Sequence, residues 1–350
     1  MSKFLSSAFS GLAPYTPGEQ PQNRKYIKLN TNESPFPPAP GVIEAVNADR
    51  VSELNLYSDP QASTLIEAIA ENFGVAHNMV AVGNGSDELL AFSFMAFCEK
   101  GVAFADITYG FYEVYASLFG LDAKIIPLSD KFEVVPSDYF NLGRTIFIAN
   151  PNAPTGLILS LSQIEEILTA NREALVVIDE AYVDFGGESA VKLIEKYDNL
   201  LVIGTFSKSR NLAGARVGYA ISNPAIIEDL GKMKFSFNPY NLNRLSIIAG
   251  TQAMKDKAYF EKCTELVKQA REYTVHELSA LGFVILDSKA NFIFAKNPRI
   301  SGQDYYLKLK ENGILVRWFN RDRIRDFVRI TIGTHEQMKA LTDTTKEILK

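Results

Sequence analysis

Val176-Val-Ile-Asp-Glu-Ala-Tyr182 is the most informative stretch of the chain: three aliphatic residues run without a polar break into two carboxylates and a phenol. A short apolar run without alternation is what a strand covered on both faces requires. A second such run, Leu200-Leu-Val-Ile203, leads into Gly204-Thr-Phe-Ser-Lys-Ser-Arg210 and then Leu212-Ala-Gly-Ala-Arg216. Working outward, strands are expected at 79–82, 102–105, 124–126, 145–149, 175–178, 200–203 and 217–221. Helical patterns lie between them at 87–97, 162–168 and 190–196. Before them, Leu65, Ile66, Ile69 and Phe73 recur at helical spacing and end at Gly74, a C-cap residue. Strands alternating with helices predict an α/β, doubly wound, mostly parallel seven-stranded sheet covered by helices.

The flanks differ. The first forty residues carry Pro14, Pro17, Pro21, Pro35, Pro37, Pro38 and Pro40, a density no helix interior tolerates, so this arm is expected to wrap across other parts. Beyond the sheet, a long helical pattern at 258–281 ends at Gly282. Strands at 284–286, 292–295, 314–316 and 327–332 follow, with helices at 303–311 and 336–349. That pattern reads as a smaller α+β domain. The chain thus divides into a large domain at 41–250, and an arm plus small domain at 1–40 and 251–350. Its 350 residues match the prior of about 100–200 per domain.

Composition narrows the function. The net charge is −5 and cations are scattered among acids, which argues against a nucleic-acid or anionic-membrane partner. Cys98 and Cys263 make no spaced pair, so neither a disulfide framework nor a cysteine metal site is expected, and the site is read as metal-free. The N-terminus lacks the apolar stretch of a secretory signal, and no apolar run approaches the ~20 residues of a membrane span. A cytoplasmic enzyme is the expectation.

Four junctions follow expected strands, at the carboxyl edge where open α/β sheets bind ligands. Gly83-Asn-Gly-Ser-Asp87 lets a backbone approach an anion at a helix N-terminus, although a tight turn with a cap would read the same way. Asn150-Pro-Asn-Ala-Pro-Thr-Gly156 is a stiff loop with amides free to bond a ligand. Asp179 ends a strand, where a buried carboxylate is costly unless paired, and it could keep a pyridine nitrogen protonated. Tyr182 is close enough to reach a neighbouring phenolic oxygen. Lys208 sits among small residues after a strand, 29 positions past Asp179, and a lysine so placed can become a Schiff-base nucleophile. Arg216 lies eight positions beyond it and could hold a phosphate bidentately.

In this order the four junctions resemble the pyridoxal-phosphate-dependent (PLP) aminotransferases of fold type I, class I/II. Over nearly the whole chain the resemblance is to the histidinol-phosphate aminotransferase family. Leu12-Ala-Pro-Tyr-Thr-Pro-Gly18, Leu29-Asn-Thr-Asn-Glu-Ser-Pro35, Tyr109-Gly-Phe-Tyr112, Asp179-Glu-Ala-Tyr-Val-Asp-Phe185, Thr205-Phe-Ser-Lys208 and Val328-Arg-Ile-Thr-Ile-Gly333 carry it. The resemblance implies that Lys208 is the Schiff-base lysine, Asp179 the partner of the pyridinium nitrogen and Tyr182 that of the ring hydroxyl. It implies that Tyr109 stacks on the ring, and that Gly85, Ser86, Asp87 (through its backbone N–H), Ser207 and Arg216 form a phosphate cup. Tyr57 would reach the partner subunit's cofactor in a homodimer with shared active sites. Tyr15, Asn32, Arg317 and Arg329 would meet the substrates, histidinol phosphate and glutamate/2-oxoglutarate, and Arg321, Arg323 and Arg325 crowd the same region. One departure stands out: the family often reads Asn-Asn-Pro-Thr-Gly, and here Ala153 takes the place of the Asn before Pro, leaving Asn152 as the candidate for that bond to the ring oxygen. An aromatic amino-acid aminotransferase, or a decarboxylase of a phosphorylated amino acid, stays open as an alternative.

Overall fold

The computed structural model describes residues 2–22 and 24–350. A two-residue strand, β1 (Ile27–Lys28), precedes a seven-stranded sheet of β2 (Val80–Asn84), β3 (Val102–Ala105), β4 (Ala123–Ile126), β5 (Thr145–Ala149), β6 (Val176–Asp179), β7 (Leu200–Thr205) and β8 (Val217–Ser222). The strand order is β2-β8-β7-β6-β5-β3-β4. All neighbours pair in parallel except β8, which runs antiparallel to both β2 and β7.

The unbroken apolar strands of the sequence are buried at every residue in β3, β5, β6, β7 and β8. Alternate side chains feed two cores. Ile146, Val176, Ile178, Leu200 and Val202 pack on one face with Leu65 and Ile69 of α3 (Ser63–Phe73) and Ile164 and Ile167 of α6 (Leu161–Ala170). Phe147, Val177, Leu201 and Ile203 pack on the other with Leu89, Leu90 and Phe92 of α4 (Ser86–Phe97), Tyr112 and Tyr115 of α5 (Phe111–Leu118), and Ile227 and Leu230 of α7 (Pro224–Phe237). Each such aliphatic side chain contributes roughly 1.5–3 kcal/mol of transfer free energy, so the two cores hold the helices on the sheet. Two short helices, α1 (Pro40–Ala45) and α2 (Ala48–Ser52), precede α3. Gly74 ends α3 in the left-handed region, at φ 68°.

The C-terminal part begins with α8 (Arg244–Lys255) and the long α9 (Lys257–Ala280). A four-stranded antiparallel sheet follows, ordered β12-β13-β10-β9 from β9 (Val284–Ile285), β10 (Phe292–Lys296), β12 (Arg317–Trp318) and β13 (Val328–Thr331). It packs with α10 (Gly302–Glu311) and α11 (His335–Ile348). β11 (Ile314–Leu315) leaves that sheet and pairs in parallel with β1, and Leu29 enters the small core. The N-terminal arm is therefore stitched into the small domain by a strand that its prolines hide. Phe294, Ile324 and Phe327 meet Ala105, Ile107 and Leu128 in a seam between the two sheets.

The stretch at 190–196 is not the helix its spacing suggests. It is a short 3-10 turn, Ala190–Leu193, whose first N–H is taken by the Glu180 carboxylate at 2.6 Å rather than by an incoming helix.

Candidate active site

The topology gathers the four junctions on one edge. β2, β3, β5, β6 and β7 all point their carboxyl ends there, and the reversed β8 brings its amino end to the same place, so Arg216 precedes it where Thr205 and Asn84 finish. The edge opens into a cavity of about 950 Å3, closed on its far side by the arm and the small domain. Tyr15, Asn32, Ser86, Asp87, Tyr109, Asp179, Tyr182, Ser207, Lys208, Arg216, Arg317 and Arg329 line it. Neither Tyr57 nor Asn152 does.

Lys208 stands at the centre. Its Nζ lies 5.8 Å from the Tyr182 ring centroid and donates only a long 3.4 Å bond, to the Thr31 carbonyl. Burial, reinforced by the Arg329 charge, pushes the amine down to about 8. Asp179 is 5% exposed, and burial raises its carboxyl to about 6 against two hydrogen bonds that favour the charge. Tyr112 donates its phenol to Oδ2 at 2.8 Å and the Ala181 N–H donates to Oδ1 at 3.2 Å. Burial also raises the Tyr182 phenol, which accepts a 3.0 Å bond from the Asn32 amide. Asn32 is held in turn by Thr331, whose hydroxyl donates to its Oδ1 at 3.0 Å and accepts from its backbone N–H.

The anion cup forms where β2 turns into α4. Gly85 sits at φ 78°, which strains any residue with a Cβ, and a Cβ there would also push the Arg216 guanidinium aside. The Gly85 N–H donates to the Arg216 carbonyl at 3.0 Å. The α4 N-terminus contributes amides with no partner in the helix. Thr205 donates its hydroxyl to Ser207 at 3.0 Å. Asp87 does more than lend a backbone N–H: its carboxylate accepts from Arg216 at 2.8 Å and from the Tyr109 phenol at 2.7 Å.

Arg329 is a half-buried cation of the cavity. It donates to the Asn30 carbonyl at 2.9 Å, its Nε is buried without a partner among the described residues, and desolvation lowers its proton affinity. Arg317 braces the arm by donating to Thr16 and Pro17 carbonyls, beside Tyr15, which stacks on Phe111 at 4.3 Å. Of the neighbouring arginines, Arg321 pairs with Glu113 at 3.0 Å, Arg323 with Asp106 at 2.7 Å and Arg325 with Asp322 at 3.7 Å. Arg317 and Arg329 are thus, among the described residues, the guanidiniums of this group without a carboxylate partner, and Arg329 alone keeps a buried donor, Nε, unbonded.

Two expected residues stand elsewhere. Asn152 is buried with its amide committed: Oδ1 accepts from Thr108 at 2.8 Å, and Nδ2 donates to the Ile107 carbonyl and to Thr155. Pro151, Ala153 and Pro154 line the cavity, while the Asn152 amide expected to meet a ring oxygen is spent on these loop contacts. Tyr57 is 78% exposed and stacks on Tyr240 at 4.4 Å, outside its own chain's cavity. Sequence reasoning missed Tyr112, because a tyrosine at helical spacing reads as core. The only available signal was its place in Tyr109-Gly-Phe-Tyr112, within one turn of Tyr109.

The residues fit pyridoxal phosphate: a glycine cradle facing an arginine, a buried carboxylate at a strand end, and a lysine with a depressed pKa between them. This fold and site define a class, and the chain belongs to the aminotransferases of class I and II, whose family model matches residues 24–344. That family is PLP-dependent. Within it the chain groups with the histidinol-phosphate aminotransferases. The protein of that name from Brachyspira hyodysenteriae is 53% identical over 353 residues, covering 100% of both chains. The one from Marinomonas sp. is 50% identical, covering 99% of this chain and 100% of its own. Among solved structures, the Sinorhizobium meliloti histidinol-phosphate aminotransferase in complex with pyridoxal-5'-phosphate superposes with a TM-score of 0.84 at 25% identity, covering 93% of this chain and 92% of its own.

Proposed function

We propose that the chain transfers an amino group reversibly between histidinol phosphate and 2-oxoglutarate, giving imidazole acetol phosphate and glutamate, in the cytoplasm. The observation that carries this reading is the half-buried Arg329 guanidinium, whose buried Nε has no partner among the described residues, in the same cavity as a lysine held near pH 8. A guanidinium fork accepts a carboxylate and a phosphate equally well, and an aminotransferase using both substrates needs one site for both anions. The names of the full-length relatives support the choice of substrate.

Gly85, Ser86, Ser207 and Arg216 would hold the cofactor phosphate, Asp179 its ring nitrogen and Tyr182 its ring hydroxyl, with Tyr109 against the ring. When bound, pyridoxal phosphate supplies an aldehyde that condenses with amines and a ring that accepts the electron pair left on the substrate Cα. Lys208 does the proton work: its neutral Nζ removes the Cα proton and returns it on the other side of the nitrogen. A pKa of about 8 leaves roughly a tenth of the amine neutral at pH 7, against ~0.03% at the ordinary 10.5. Asp179 stays ionised at neutral pH because Tyr112 and Ala181 donate to it, so it can hold a proton on the ring nitrogen. Asn32 fixes the Tyr182 phenol. The arm, pinned by Arg317, brings Tyr15 over the cavity and limits water. Tyr57 serves the partner subunit in a homodimer. Tyr240, on which it stacks, and Val51, Leu54 and Leu56, just before it in the chain, are exposed apolar side chains suited to that association.

Steady-state kinetics with histidinol phosphate and with phenylalanine, each against 2-oxoglutarate, test the assignment. A higher kcat/KM for histidinol phosphate is expected. Preference for phenylalanine would move the chain to the aromatic aminotransferases.

A further inference from the structure

Behind the cavity lies a polar cluster that the reaction described above does not use. Ser209, 3% exposed, donates its hydroxyl to the Asp184 carboxylate. Arg210, next along the chain, donates to the Ala253 carbonyl at 3.2 Å and lies 3.6 Å from the Phe260 ring centroid. The Asp184 carboxylate lies near enough for its charge to oppose loss of the Arg210 proton. None of the three lines the cavity.

Their placement matters because of what each adjoins. Ser209 follows Lys208 directly. The loop is drawn tight by Leu212 N–H to the Phe206 carbonyl at 3.0 Å and Asn211 N–H to the Lys208 carbonyl at 3.3 Å. Asp184 belongs to the 3-10 turn Val183–Phe185 that begins at Tyr182, and Arg271 holds this turn by donating to the Phe185 carbonyl at 2.9 Å. The Ser209 bond therefore joins the backbone that carries the amine to the backbone that carries the phenol. The Lys208 Nζ makes only its 3.4 Å contact, so its position is set from the backbone end.

We propose that Asp184 is a positioning residue: by accepting the Ser209 hydroxyl it fixes the backbone from which Lys208 swings, in register with Tyr182. This rests on Lys208 being the cofactor-bearing amine. Rate losses of ~100-fold accompany a misplacement of about 1 Å, and a loosened loop is expected to cost about tenfold.

The test uses the holoenzyme. Ser209→Ala is expected to lower kcat about tenfold with KM within about twofold. It should also move the pH midpoint of the cofactor's absorbance band and slow the appearance of that band about tenfold when pyridoxal phosphate is added to apoprotein. Ser209→Thr keeps the hydroxyl and should restore all three readouts. Asp184→Asn keeps an acceptor and should show the same pattern about threefold in kcat, which tests the idea even where Ser209→Ala folds poorly. A lower melting temperature with unchanged kcat per bound cofactor and an unchanged midpoint overturns the proposal, leaving a merely structural bond. Absence of the band in the unsubstituted protein overturns the reading of Lys208 itself, and the proposal with it.

Discussion

Replacing Asp179 with asparagine should stabilise the apoprotein while disabling the enzyme, and the size of the gain can be worked from the carboxyl's environment. Burial raises Asp179 from 3.8 to about 6, a displacement worth roughly 3 kcal/mol at about 1.4 kcal/mol per pH unit. The folded pKa lies above the unfolded one, so the protonated form's advantage in the folded state is present in full below 3.8 and is lost as pH rises through about 6. At pH 7 the folded protein consequently carries the whole cost of a buried charge, and the neutral amide of Asp179→Asn would not. An amide keeps one oxygen, which can accept from the Ala181 N–H, while the Tyr112 hydroxyl must turn to accept from the amide nitrogen, so the figure is an upper value. Dividing ~3 kcal/mol by an unfolding entropy of ~0.7 kcal/mol/K for a chain of this length gives a rise of about 4 °C in Tm. Thermal unfolding of apoprotein and variant at pH 7.5 and at pH 5 checks this, with roughly half the gain expected at pH 5. Turnover of the loaded variant should fall by more than about 100-fold, because an amide cannot hold a proton on the ring nitrogen. A variant less stable than the parent at pH 7.5, or a gain independent of pH, would refute the reasoning.

Gly85→Ala forces a Cβ into Arg216 at a positive φ, so cofactor affinity should fall at least about tenfold by equilibrium dialysis while the fold survives. Arg329→Gln removes the half-buried guanidinium, and kcat/KM for both substrates should drop by about 100-fold or more, a charge-assisted pair contributing ~2–3 kcal/mol; an effect on one substrate alone would mean separate anion sites. Tyr112→Phe deletes the donor on Asp179 Oδ2, which raises that carboxyl further and should carry the acid limb of the kcat/KM profile to higher pH.

Much of the fold was legible because its signal is local. Continuous aliphatic runs such as those at 176–178 and 200–203 have one stable home, a sheet covered on both faces, and all seven expected strands of the large sheet are present. The small domain was legible as a mixture of strands and helices, and even the short β9 and β11 fall in apolar runs, but β1 and β12 were not, since Ile27–Lys28 and Arg317–Trp318 mix polar with apolar residues and exist through pairing with β11 and β13. In the cavity, residues at strand ends (Asp179, Lys208, Ser86) could be read from position. Asn152 could not: whether its amide faces the cavity or Thr108 depends on the path of a loop with two prolines, which spacing does not encode. The pairing of Asp87 with Arg216, and of Tyr112 with Asp179, joins residues 129 and 67 positions apart and is visible only in three dimensions.

The central claim is that Lys208 bears the cofactor and that histidinol phosphate is the amino donor. Absorbance spectra of purified holoprotein, recorded before and after histidinol phosphate and again after 2-oxoglutarate, test both parts in one cuvette. A pyridoxal phosphate band is expected that converts to the pyridoxamine form with the first addition, returns with the second, and is absent as a covalent band in Lys208→Ala. A band unmoved by histidinol phosphate, or carbon dioxide released without any need for 2-oxoglutarate, would contradict it.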